Sequence, residues 1–106
     1  MKDGLLKIIN HYGEKNQRKK LQEEIYELVE ALIEYEFESY KCYEQIRKSY
    51  KEHIAEELAD CYVILEQIRL NNEIGKDKIK EIMNHKIERQ LIRIEKGKEN
   101  ASEYIN

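Results

Sequence analysis

Between Leu21 and Ile33 the apolar residues Leu21, Ile25, Leu28, Val29, Leu32 and Ile33 recur at intervals of three and four. That spacing is the period of an α-helix with one apolar stripe, and no strand register buries it. A second run, Ile54, Leu58, Cys61, Tyr62, Leu65 and Ile68, repeats the period. A shorter one precedes them at Leu5, Leu6, Ile8, Ile9 and Tyr12, and another follows at Ile79, Ile82, Met83, Ile87, Leu91 and Ile94. The sequence contains no proline to interrupt these runs, and helix formers dominate it. The expectation is an all-α protein, four-helix-bundle-like, in a single domain covering 1–106.

The punctuation is sparse. Asp3, Asn16 and Asp77 are expected to cap helices, Gly13 to break the first from the second, and Asn71-Asn72 with Gly75 to close the third. Gly97 should end the fourth, leaving 97–106 as a polar, frayed tail. The second and third helices should separate somewhere in 38–50, a tyrosine-rich stretch with no glycine.

Composition excludes several function classes. The net charge is −3, with both signs interspersed. A chain without a basic block is a poor ligand for duplex nucleic acid, where phosphate contacts supply most of the affinity. No apolar run approaches the ~20 residues of a membrane span, and the N-terminus lacks the pattern of a signal peptide. Cys42 and Cys61 form no spaced metal motif, and a disulfide framework is not expected of them. The cytoplasm is the expected compartment.

The two central runs share more than their stripes. Glu23-Glu24-x-x-Glu27 in the first is matched by Glu56-Glu57-x-x-Asp60 in the second. On a helical wheel Glu24 and Glu57 fall roughly 80° from the centre of their stripes, and Glu27 and Asp60 roughly 140°. If both stripes face one core, the four acids line one edge of the helix pair. Acids three apart on a helix are surface neighbours, so each pair can converge on one point. Such a cluster suits a hard cation: Mg²⁺ takes oxygen ligands and commonly bridges carboxylates to phosphates. Glu23 and Glu56 lie opposite the stripes, where a solvated face is the plainer reading. The same plain reading applies to any lone Glu-x-x-Glu in a chain this rich in charge. A di-iron centre would need Glu-x-x-His pairs, and His11, His53 and His85 all lack them. Zinc is disfavoured by the same shortage of His and Cys.

Lys86, Arg89 and Arg93 run along one border of the last stripe, as a strip for polyphosphate would, or as ordinary cations snorkelling beside a core. Gln17 and Lys20 precede Glu24 and Glu27 on one strip and are weaker candidates for substrate contact.

Taken together, Glu23-Glu24-x-x-Glu27, Glu56-Glu57-Leu58-Ala59-Asp60, the Gln17-x-x-Lys20 that leads in, and Lys86-x-x-Arg89 with Arg93 resemble the signature of the MazG-like all-α nucleotide pyrophosphohydrolases. The resemblance covers roughly residues 8–96. It implies hydrolysis of nucleoside triphosphates between the α and β phosphates, giving a monophosphate and pyrophosphate, with Mg²⁺ (or Mn²⁺ in its place) as cofactor. It also implies roles: Glu24, Glu27, Glu57 and Asp60 as metal ligands, Glu23 or Glu56 positioning the water, and Lys86, Arg89 and Arg93 on phosphates. Assembly as a homodimer or homotetramer follows from the same resemblance. Two departures stand out. The stretch between Glu27 and Glu57 is long for the pattern, and Gln90 stands where some dUTP-cleaving relatives have Asn, so no base preference can be read. The rival expectation is a catalytically silent helical interaction module presenting Tyr35, Tyr40, Tyr43 and Tyr50 to a partner.

Overall fold

The computed structural model describes residues 1–38 and 44–97. Among them the chain forms four helices and no strand: α1 (Lys2–Tyr12), α2 (Glu14–Glu38), α3 (Glu44–Asn71) and α4 (Lys76–Glu95). The protein is all-α. It divides into two units, Met1–Glu73 carrying α1, α2 and α3, and Ile74–Asn106 carrying α4. In the first unit α3 packs along α2, and α1 rests against both.

The helix ends depart from expectation in small ways. Gly75 takes the N-cap place of α4 and Met1 that of α1, while Asp77 and Asp3 sit in the first turns. There their charge complements the helix dipole rather than capping it. Asn16 lies inside α2 and donates its side-chain N–H to the Tyr12 carbonyl at 2.7 Å. α3 begins well before the apolar run at Ile54, so the charged stretch ahead of it is helical. The expected break in 38–50 falls where α2 ends at Glu38 and α3 begins at Glu44; Tyr40, Cys42 and Tyr43 lie outside the described residues, as does the expected tail beyond residue 97.

Gly13 makes the α1–α2 junction a single residue. Its φ of 87° and ψ of 146° belong to a region that residues with a Cβ rarely enter. Its N–H closes α1 on the Ile9 carbonyl at 2.8 Å, and its own carbonyl accepts the Gln17 N–H at 3.1 Å. The turn therefore starts α2 directly beside α1 and brings Gln17 in with its first turn.

α2 and α3 run antiparallel. As α2 advances from Glu14 to Gln17 to Glu24, its partners retreat along α3 from Asn71 to Gln67 to Asp60. The residues that α2 turns inward are Gln17, Leu21, Glu24, Leu28, Ala31 and Tyr35, and those of α3 include Ile54, Glu57, Cys61, Ile64 and Ile68. Steps of four and three mark a seam of two helices in extended contact. Ala31 and Cys61, both small and almost fully buried, let the backbones come close. The seam is not centred on the stripe that the sequence suggests. Ile25, Val29, Leu32 and Ile33 all remain close to half exposed. Leu21 and Leu28 belong to both rows, so the helix has rotated about them to bury a polar row instead.

Candidate metal centre and adjoining pocket

That rotation carries Glu24 into the seam instead of leaving it on the edge, and Glu57 of α3 is buried there with it. Glu24 is 9% exposed and Glu57 8%. Each has one carboxylate oxygen, Oε2, sealed from solvent and without a hydrogen-bond partner. One oxygen from each of Glu24, Glu57 and Asp60 lies within 4.8 Å of the others, and Asp60 is exposed. The position of Asp60 follows from the helix: it stands one turn after Glu57 on the flank of α3 that faces Glu24.

Charge balance here is poor. Burial pushes the Glu24 carboxyl above the ordinary carboxylate range, and the charges of Glu27 and Asp60 push the same way. Lys20 opposes them, its Nζ lying 3.5 Å from Glu24 Oε1. Burial likewise raises the Cys61 thiol, and Glu24, Asp60, Glu57 and Glu27 reinforce it, so Cys61 stays protonated at neutral pH. Three carboxylates meet at one point beside Lys20, which is a strained arrangement for bare acids and a natural one for acids around a divalent ion. All donors are oxygens, which fits Mg²⁺ or Mn²⁺.

A stability–pH dependence follows. Because the folded state holds the Glu24 proton more tightly than the unfolded chain does, this residue's contribution is most favourable below the ordinary carboxylate pKa of 4.5. It is lost as pH rises through the raised folded value. The metal-free Glu24→Gln variant should therefore gain stability over wild type as pH climbs from 4.5 to 7, measured as the difference in urea midpoints. A gap independent of pH would show that Glu24 is charged at no cost.

The acids open onto a pocket of about 400 Å³. Ile8, Tyr12, Val63 and Ile64 give it an apolar wall; Gln17, Lys20 and Gln67 give a polar one; Glu24 and Asp60 belong to its lining. Gln17 Nε2 donates to Gln67 Oε1 at 2.8 Å, with both residues buried. The junction of helix ends beside this pair is fastened by Asn71 and Asn72, which donate to Glu14 and hold its carboxyl below the usual range.

The three converging oxygens do not include those of Glu23, Glu27 or Glu56. Glu27 is exposed and shares an open groove of α2 with Glu23, Tyr26 and Glu30; it reaches Glu24 through its charge but is not among the three converging oxygens. Glu56 is exposed on α3. Lys86, Arg89 and Arg93 line one groove along α4 with Gln90, as their spacing implies. Gln67 was not foreseeable as a pocket-lining residue from its type. Its place one turn after the buried Ile64 was the available signal. No described helix is long and apolar enough to cross a membrane. Searches for likeness return no matching protein-family model, no matching curated protein and no matching solved structure.

Proposed function

We propose that this chain is a Mg²⁺-dependent nucleoside triphosphate pyrophosphohydrolase of MazG-like type, cleaving between the α and β phosphates. The observation that carries this reading is the pair of buried, unpartnered oxygens of Glu24 and Glu57 beside Asp60, in a seam where apolar residues would pack at no such cost. Buried carboxylate oxygens with no protein donor suit a cation, and oxygen donors alone suit Mg²⁺ or Mn²⁺. Glu24, Glu57 and Asp60 would hold the ion, with Glu27 at its outer side. When bound, such an ion neutralises phosphate charge and lowers the pKa of an attacking water.

The pocket supports the substrate class of this reading. It joins an apolar, aromatic-bearing wall to a cation and two of the acids, which suits a molecule flat at one end and phosphorylated at the other. Lys20 meets phosphate charge, and the Gln17 amide stands in the wall beside it. Glu23 or Glu56 positions water, and Lys86, Arg89 and Arg93 take the remaining phosphates, as the resemblance implies. Water adds to a phosphorus and the α–β bridging P–O bond breaks, releasing monophosphate and pyrophosphate. Homodimers or homotetramers acting in the cytoplasm on nucleotide pools complete the proposal.

A nucleotide panel in Mg²⁺ tests it, with products resolved by chromatography. Monophosphate and pyrophosphate in equal amounts are expected from at least one triphosphate. Release of orthophosphate, or no turnover on any nucleotide, overturns the reading. One observation favours the other class: the half-exposed row Ile25, Val29, Leu32 and Ile33 would serve a silent helical interaction module equally well. That module would bind no divalent ion through its carboxylates, which calorimetric titration with Mn²⁺ decides.

A further inference from the structure

The acid cluster has a neighbour of different chemistry. His53 stands four residues before Glu57 on α3, and its Nδ1 lies 3.9 Å from Glu57 Oε1. His53, Glu57 and Asp60 follow one another at i, i+4 and i+7, the spacing of a single helix face. The His53 nitrogens stand outside the three converging oxygens, but the side chain is 46% exposed, so it can turn toward them at little cost and is open to ions from solvent. Glu57 is the opposite: its second oxygen is sealed in the seam with no partner.

Resting on the metal centre proposed above, we infer that His53 is a further metal ligand, adding one nitrogen donor to the oxygens of Glu24, Glu57 and Asp60. The chemical consequence is a change in which ions the site prefers. Carboxylates alone favour Mg²⁺, Ca²⁺ and Mn²⁺, whereas an imidazole among them favours Co²⁺, Ni²⁺, Fe²⁺ and Zn²⁺. The site then accepts Mg²⁺ through its oxygens and binds a borderline transition metal more tightly through His53. A simple ion pair between His53 and Glu57 predicts no such discrimination, because losing it would weaken both kinds of ion alike.

The same chain supplies an internal control. His85 and Glu88 on α4 form a similar pair at 4.0 Å, but both are about 70% exposed. They test what an imidazole beside a carboxylate does without buried acids.

The experiment is calorimetric titration of the full chain with Co²⁺ and, separately, with Mg²⁺, in wild type, His53→Gln, His85→Gln and Glu57→Gln. The expected result is a loss of at least about tenfold in Co²⁺ affinity for His53→Gln, in the range that altering a metal's surroundings commonly costs. Its Mg²⁺ affinity should move less than twofold, and His85→Gln should leave the site unchanged for both ions. Glu57→Gln should weaken both. Equal losses for Co²⁺ and Mg²⁺ in His53→Gln would reduce His53 to a positioning residue and overturn the inference. So would an unchanged Co²⁺ affinity, or a loss in His85→Gln as large as in His53→Gln. Wild type that binds neither ion would instead bring down the metal centre itself.

Discussion

Glu57→Gln should abolish turnover and lower Mg²⁺ affinity by about a hundredfold or more, while the metal-free protein keeps or gains stability. The two halves of this expectation have one cause. Glu57 is buried, with one oxygen unpartnered and a carboxylate oxygen of Glu24 and of Asp60 within 4.8 Å of its own. The amide is isosteric, carries no charge and offers N–H donors to the remaining acids. A hydrogen bond to a charged acceptor contributes about 1.5–3 kcal/mol. In a domain of ~100 residues each kcal/mol corresponds to about 4–8 °C in melting temperature. A ligand carboxylate, by contrast, is replaced by a weaker donor whose oxygen brings no negative charge to the cation. Thermal melts with and without 10-fold excess of metal over protein, alongside pyrophosphate release, read both halves. Glu52→Gln, an exposed change on the same helix, should alter neither. Retained turnover in Glu57→Gln would remove Glu57 from the metal centre. A metal-free variant that melts well below wild type would show that the carboxylate is needed by the fold itself.

The reason acids occupy this seam also explains how much of the protein can be read from its residues. Helix positions are legible because a three-and-four spacing of apolar side chains acts locally, and four such runs became four helices. The acids Glu24, Glu57 and Asp60 are legible because the same motif recurs in phase on two runs. What the periodicity cannot show is which row of α2 faces α3. Counting apolar residues selects Ile25, Val29, Leu32 and Ile33, yet these stay half exposed while Gln17 and Glu24 are buried. Burial is decided by the neighbours: α1 docks at the start of α2 through Gly13, and the small side chains of Ala31 and Cys61 admit close approach on the other row. A polar inner row costs stability, and local rules are most often broken where function holds the residue. Glu27 shows the same limit in reverse. Its spacing from Glu24 places it one turn away, but the rotation that buries Glu24 turns Glu27 toward Glu23 on the open side.

The Gln17–Gln67 pair allows structure and binding to be separated at one place. Gln67→Leu should destabilise the protein by about 1–3 kcal/mol, because it strands a buried Gln17 donor that now bonds Gln67 Oε1 at 2.8 Å. Replacing both residues should recover most of that loss. When donor and acceptor leave together no polar atom is stranded, and apolar side chains of similar size fill the space. Denaturant melts of Gln67→Leu and of Gln17→Leu/Gln67→Leu therefore report on the hydrogen bond as a structural element. Activity reports on something else. Both amides line the pocket that Glu24 and Asp60 also line, so the refolded double variant loses two amides from its polar wall and keeps Lys20 alone there. Its KM should rise about fivefold, the equivalent of ~1 kcal/mol for one neutral hydrogen bond, with kcat little changed. A double variant as stable as wild type but with unaltered KM would assign the pair to the fold alone. One that stays as unstable as the single variant would show that the seam needs an amide at residue 17 or 67 for packing. The pocket's breadth would then depend on side-chain shape there, beyond the single bond between them.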